Sequence, residues 1–331
     1  MRRLSALVRP GVRSLAAGAL LLHAGAGAAS ELERTRVVVG LARETEFALP
    51  IHLAVDHARR DAGLALDVVS FGGGARAAAA VASDSIQVAV ISLDGAIRLI
   101  EAGQPVRVFY AGVSHVLFEW YARPEIKSWQ DLRGRTMGIS TFSSLSDHLT
   151  RYVLRRHGLD PGRDVSLIQS GELATGLAAL RAGRLDSVVL AHPFTWTAQE
   201  AGFTRLGTQA AEVADAWPRN VFVAKTKLLT AEPATFRAFL AAYVTALRSL
   251  RGDRAGTIDQ LVTRFKLDRR NAERLYPDLL AGFDERGRLP QQVMPLFWDI
   301  AVAAGDVTAP WPEARYLDRR FIDSFEAWSP R

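Results

Sequence analysis

The feature that most constrains this chain is an alternation of short apolar runs with helical patterns, completed once and then begun again. Val37 to Leu41 reads as a buried strand and Pro50 to Ala62 as a helix. Leu64 to Phe71 is strand-like, and Gly72-Gly73-Gly74 leads into an alanine-rich helix ending at Ala82. Ile86 to Ile91 is an apolar strand stopping at Ser92, followed by a helix around Ala96 to Ala102 and a strand from Val106 to Val113. After Trp120 and Tyr121 the grammar restarts, with strands at Thr136–Ser140, Val165–Gln169 and Ser187–Leu190. Helices at Ser144–His157 and Glu172–Ala182 lie between them. Strands alternating with helices predict parallel pairing and right-handed crossovers. "AVASDSIQVAVIS" and "ALRAGRLDSVVLA" share one plan of helix end, turn, aspartate and apolar strand, which predicts two similar α/β lobes. Beyond Asn220 the apolar spacing turns helical at Pro233–Leu250, Thr257–Phe265, Arg269–Leu280 and Gln291–Ala303. These helices are expected to cover the first lobe.

The first segment stands apart. Arg2, Arg3, Arg9 and Arg13 precede the apolar run Leu15–Leu22, and small residues follow, with Ala26-Gly27-Ala28 as the cleavage signal. That order predicts a secretory signal peptide over residues 1–28. The apolar run is far below the roughly 20 residues a membrane-spanning helix needs. Removing four arginines lowers the formal charge from +6 to +2, a near-balanced surface that argues against a nucleic-acid partner. The chain has no cysteine, which excludes disulfides, thiolate metal sites, cysteine nucleophiles and a lipid-modified cysteine. The expected mature protein is exported, soluble and periplasmic.

No G-x-S-x-G elbow, GK[ST] phosphate loop or H-E-x-x-H helix occurs, and no catalytic residue, metal or cofactor is expected. His52 and His57, with Asp56, lack the three or four convergent ligands of a zinc site and read as solvated or capping residues. The informative stretch is "ISTFSSLSDHL", where Ser140, Thr141, Ser143, Ser144 and Ser146 crowd between a strand and a helix. Ser144 and Asp147 fit a capping box. Ser140, Thr141 and Ser143 are left over at the carboxyl end of a strand, where open α/β sheets hold ligands and a helix N-terminus attracts acceptor or anionic groups. Gly73 reads either as a flexible turn or as a place where backbone N–H groups approach a ligand.

The residues from "PEIKSWQDLRGRTMGISTFSSLSDHLTRYVLRRHGLDPGRDVSLIQSG" resemble the periplasmic substrate-binding proteins of ABC importers for nitrate, taurine, sulfonates and thiamine-precursor pyrimidines. "PIHLAVDHARRDAGLALDVVSFGGGARAAAAVASDSIQVAVIS" and "ALRAGRLDSVVLAHPFTWTAQEAGFTRL" are similar to the same family's two lobes, so the resemblance spans nearly the whole mature chain and thins after about Leu250. It implies an α/β, type II periplasmic-binding-protein fold: two Rossmann-like lobes on a two-segment hinge, near Val116–Tyr121 and Arg219–Val223, with the C-terminal helices packed on lobe one. The implied division is 35–115 for the first part of lobe one, 116–219 for lobe two and 220–331 for the return to lobe one. The implied partners are a small solute, an ABC permease and its ATPase, and the implied state is a monomer touching the membrane only through the permease.

Carried over position by position, the resemblance implies ligand contacts from Glu44, Thr45 and Phe47, from Gly73 and Ser92, from Ser140, Thr141, Phe142, Ser143 and Ser144, and from His192 and Phe194. Ser143 stands where the family usually has glycine, and Arg59-Arg60-Asp61-Ala62 replaces the usual glycine-plus-phenylalanine before "GL". Phe47, Phe142, Phe194 and Trp196 are candidate aromatic walls. Two rivals stand beside transport: an exported sensor domain that docks on a receptor, and a thiamine-pyrimidine biosynthetic enzyme. The enzyme's family carries a cysteine-rich iron-binding segment, which this chain lacks.

Overall fold

The computed structural model describes residues 31–330 except Val116, so the expected signal peptide lies outside the described residues. The chain opens with β1 (Arg36–Leu41), α1 (Leu49–Ala62) and β2 (Ala65–Ser70), then α2 (Gly74–Ala82), β3 (Val88–Ile91), α3 (Leu93–Glu101) and β4 (Val106–His115). Pro50 in the first turn of α1 and Gly63 just beyond it (φ 65°) mark that helix's ends, as their backbone preferences dictate. The chain then builds β5 (Glu119–Ala122), β6 (Arg135–Ile139), α4 (Leu145–Arg156), β7 (Val165–Gln169), α5 (Leu173–Arg181), β8 (Ser187–Leu190), α6 (Phe194–Glu200) and β9 (Thr204–Thr208). It returns through α7 (Gln209–Glu212) and β10 (Ala216–Lys225) to α8 (Thr226–Ala231), α9 (Pro233–Gly252), α10 (Arg254–Phe265), α11 (Arg269–Ala281) and α12 (Met294–Ala304).

Two five-stranded sheets result, ordered β2-β1-β3-β10-β4 and β7-β6-β8-β5-β9. The two orders are the same plan, which bears out the doubled pattern in the sequence. The expected parallel pairing holds for β1 with β2 and β3 and for β6 with β7 and β8, and antiparallel pairs are added to it: β10 runs antiparallel to β3 and β4, and β5 antiparallel to β8 and β9. β5, β9 and β10 were not expected as strands. β10 carries Pro218, Arg219 and Asn220 early in its length, so its apolar run is short, and its register with β4 shifts on either side of Asn220. β5 and β10 are the segments by which the chain enters the second sheet and comes back to the first.

The C-terminal helices are placed by burial. α9 lies against α1 and buries Phe236, Phe239, Leu240, Tyr243 and Leu247, each such side chain worth about 1.5–3 kcal/mol of apolar transfer. The Tyr243 hydroxyl donates to the Gly112 carbonyl at 3.1 Å and so pins α9 to β4. α12 does something else: it packs on α4 of the second sheet's lobe, and Phe297 meets Trp217 (ring centroids 5.9 Å) in a core shared by both lobes. Among the described residues no helix is long and apolar enough to cross a membrane.

Candidate ligand-binding cleft

The residues singled out in the sequence follow the carboxyl ends of parallel strands in both sheets, and the loop after β1 meets the start of α5 in the other lobe. The Ala42 N–H donates to the Val90 carbonyl (3.0 Å), setting the loop after β1 beside the end of β3. Ser92, half-buried, precedes α3 with extended backbone (φ −70°, ψ 154°) and makes no side-chain cap. Gly72 has φ 63°, which suits glycine, whereas Gly73 is extended (φ 168°) and a Cβ there would meet nothing within 4 Å. The space beside Gly73 is therefore open.

Polar contacts cross from lobe to lobe around this opening. Arg43, after β1, pairs with Glu172 at the start of α5 (2.9 Å). His148 on α4 faces Asp306 (3.8 Å) and Asp94 (4.0 Å), both of which also bind Arg98. His192, after β8, lies 3.8 Å from Asp278 of α11.

The hydroxyl turn is built differently from the expected capping box. Ser144 is the N-cap of α4, but its hydroxyl donates back to the Thr141 carbonyl (2.7 Å) rather than capping the helix. Asp147 accepts from the Ser143 N–H (2.8 Å), one residue earlier than such a box requires, and holds Arg151 (2.6 Å). Ser140, Ser144 and Ser146 share a closed hydroxyl network: 140–146 at 2.7 Å, 144–146 at 2.9 Å and 140–144 at 3.0 Å. Ser146 also accepts the Ser140 N–H (3.1 Å), and Gln169 accepts that of Phe142 (2.9 Å). Ser143 has φ 58°, the left-handed region, which is the physical reason a glycine is at home there. What stays unpaired is the helix itself: among the described residues the first-turn N–H groups of Leu145, Ser146 and Asp147 meet no acceptor. Thr141 and Phe142 are exposed, Phe142 at 49%.

The remaining candidates divide. Glu44 is exposed and tied to His52 of α1 (2.6 Å), and Thr45 is half-buried with its carbonyl accepting from Ala48 (2.8 Å). His57 hydrogen-bonds Arg60 (2.6 Å), so each histidine of α1 is held by a side chain beside it, and both are half-buried. Phe47 is core, 2% exposed, packed on Phe283 (5.9 Å) and beneath the Arg219 guanidinium (4.3 Å). Trp196 is occupied by its own chain, with His192 stacked on it at 4.3 Å and the Arg274 guanidinium over its ring, also at 4.3 Å. Phe194 is half-buried against Tyr121 and its neighbours. Burial, with a smaller push from Arg274, pulls the His192 pKa down to about 4.

Sequence reasoning did not single out Arg219, Asp278 or Arg274. Arg219 hides in a strand, and the other two come from a helix more than eighty residues after His192.

The architecture is that of the two-lobed periplasmic binding proteins, and solved structures of that class superpose on it. A protein from Bordetella bronchiseptica RB50 matches with TM-score 0.72 at 21% identity, covering 89% of this chain and 99% of its own. The alkanesulfonate-binding protein SsuA from Xanthomonas axonopodis pv. citri, bound to MOPS, matches with TM-score 0.67 at 18% identity, covering 84% and 96%. YtlA of Bacillus subtilis (strain 168), named as a binding protein, is 24% identical over 214 residues, which span 63% of this chain and 64% of YtlA. The NMT1/THI5 like family model matches residues 60–252, and the chain belongs to that family.

Proposed function

We propose that the protein is the solute-binding component of an ABC import system, taking a small organic solute between its lobes and handing it to a membrane permease. The observation that carries this reading is the meeting of two sets of strand carboxyl ends across one opening, joined by polar contacts from lobe to lobe. α2, α3 and α4 begin at that opening without side-chain caps, and such helix starts favour an anionic or acceptor group. Binding that touches both lobes at once stabilises the closed arrangement, which is the hinge closure general to periplasmic binding proteins. No bond is made or broken in this function. The proposed setting is the periplasm, the proposed partners are the permease and its ATPase, and the proposed contacts are those named above at Gly73, Ser92, the Thr141–Ser144 turn and His192.

The test is a thermal-shift screen of sulfonates, aromatic carboxylates and pyrimidines. A ligand at 100 times its dissociation constant adds about 2.7 kcal/mol, a readily measured shift. Mass spectrometry of the same mixtures should recover every solute unchanged, and a new product would replace binding with catalysis.

A further inference from the structure

Trp196 stands on one lobe and is buried in the other. Its helix, α6, belongs to the second sheet, where Phe194 and Ala198 pack with Tyr121 of β5 and Leu190 of β8. Trp196 itself, 8% exposed, joins the apolar cluster of the first lobe, which includes Leu275 and Leu279 of α11. α11 is fixed to that lobe from two sides. The Tyr276 hydroxyl donates to the Leu250 carbonyl of α9 (3.0 Å), and the Ser114 N–H of β4 donates to the Gly282 carbonyl just beyond α11 (2.9 Å).

The groups around the indole fit that seat. The Arg274 guanidinium of α11 lies 4.3 Å from the ring centroid, and the His192 imidazole stacks on the ring at 4.3 Å and 18°. Two cations on one ring would repel each other. Burial, with a smaller push from Arg274, pulls the His192 pKa down to about 4, so at neutral pH only Arg274 of the two is charged. Glu200 of α6 reaches Arg274 (3.6 Å) and Arg270 (3.9 Å), but its carboxylate is 59% exposed, and such pairs hold weakly. Tryptophan is the best ring for a cation, and desolvation strengthens the contact. The grip between α6 and α11 therefore lies in the ring.

We propose that Trp196 is a latch that holds the two lobes together before any solute arrives, with Arg274 as its catch. Separating the lobes requires the indole to leave the first lobe's core, and solute entry waits on that withdrawal. The latch rests on the solute-binding reading for its purpose, but it is a property of the solute-free protein and is tested there.

The chain has no cysteine, so a pair of introduced ones can carry spin labels. Ala79→Cys on α2 and Ala178→Cys on α5, both exposed, put one label in each lobe. Double electron–electron resonance at neutral pH reads the distance between the labels without solute, and near-ultraviolet circular dichroism verifies each fold. The labelled parent should give one narrow distance. Arg274→Gln should add a longer distance, raising the ratio of separated to joined molecules roughly 2- to 30-fold, the worth of one cation–π contact. Trp196→Ala should raise it further, and Arg274→Lys, which keeps a cation, should fall between the parent and Arg274→Gln. Glu200→Gln should leave the distribution as it is. A parent already spread over long distances overturns the latch, as does a distribution that neither Arg274→Gln nor Trp196→Ala alters. Should Trp196→Ala fail to fold, an unchanged distribution in Arg274→Gln is enough to overturn it. Separation produced by Glu200→Gln to the same extent as by Arg274→Gln would mean that the ion pairs hold the lobes, and the proposal falls. None of these outcomes involves a solute, so each leaves the solute-binding reading standing; silence in the thermal-shift screen would remove that reading and leave the latch.

Discussion

Ser143, Gly282 and His192 show how single residues answer to backbone and burial. Ser143 holds φ 58°, where a β-carbon costs about 1–2 kcal/mol. Ser143 already bears that cost, so Ser143→Gly should leave unfolding free energy level or slightly raised in urea titrations, while the β-branched Ser143→Val should lower it. A β-carbon on Gly282 would come 2.8 Å from the Phe47 ring and 3.3 Å from the Leu279 carbonyl. Neither neighbour is a flexible chain end, so Gly282→Ala should cost about 1–3 kcal/mol of stability. His192 makes stability depend on pH. Above its ordinary pKa of 6.5 it is neutral whether folded or not; as pH falls toward its folded value of about 4, the unfolded chain takes up a proton the folded one refuses. Stability should therefore fall between pH 6.5 and 4, by up to about 3 kcal/mol from this group. His192→Gln should flatten that slope in thermal melts across the same window.

At the level of elements, the turn before α4 works as a unit. Ser146 is 2% exposed and is the acceptor for the half-buried Ser140 N–H, so Ser146→Ala leaves that donor without its partner and should cost about 1 kcal/mol. Ser144→Ala removes no helix cap and should cost less; equal losses in chemical denaturation would show that the shared hydroxyl network, not the N–H, is what matters. The spacing Ser144–Asp147 advertised a capping box that the backbone does not make, because Ser143 in the left-handed region turns its own N–H toward Asp147. The same spacing at Ser128–Asp131 does form one. Spacing proposes such a motif, and the dihedral one residue earlier decides it.

Across the whole molecule, the doubled strand-helix plan was readable because apolar periodicity is local, and both sheets follow it. The crossing strands β5 and β10 were not, since each is short or interrupted by polar residues and pairs with strands distant in sequence. The contacts from lobe to lobe lie at the same level. Arg43 and Glu172 are both partly exposed and worth at most about 1 kcal/mol to folding. On the proposed function their effect should appear in release instead. Arg43→Ala and Glu172→Ala should each raise the dissociation rate of a bound solute more than they change its association rate, as stopped-flow traces would reveal.

The alternation of apolar strand and amphipathic helix and its restart after Tyr121 are written in consecutive residues, and they determined the two-lobed α/β class. Tertiary structure alone decided which charges are answered. Arg219 is one arginine among many until β10 carries it over Phe47, and Asp278 is a surface helix residue until α11 brings it to His192. Desolvation and pairing depend on what arrives from remote parts of the chain, and no local pattern records that arrival.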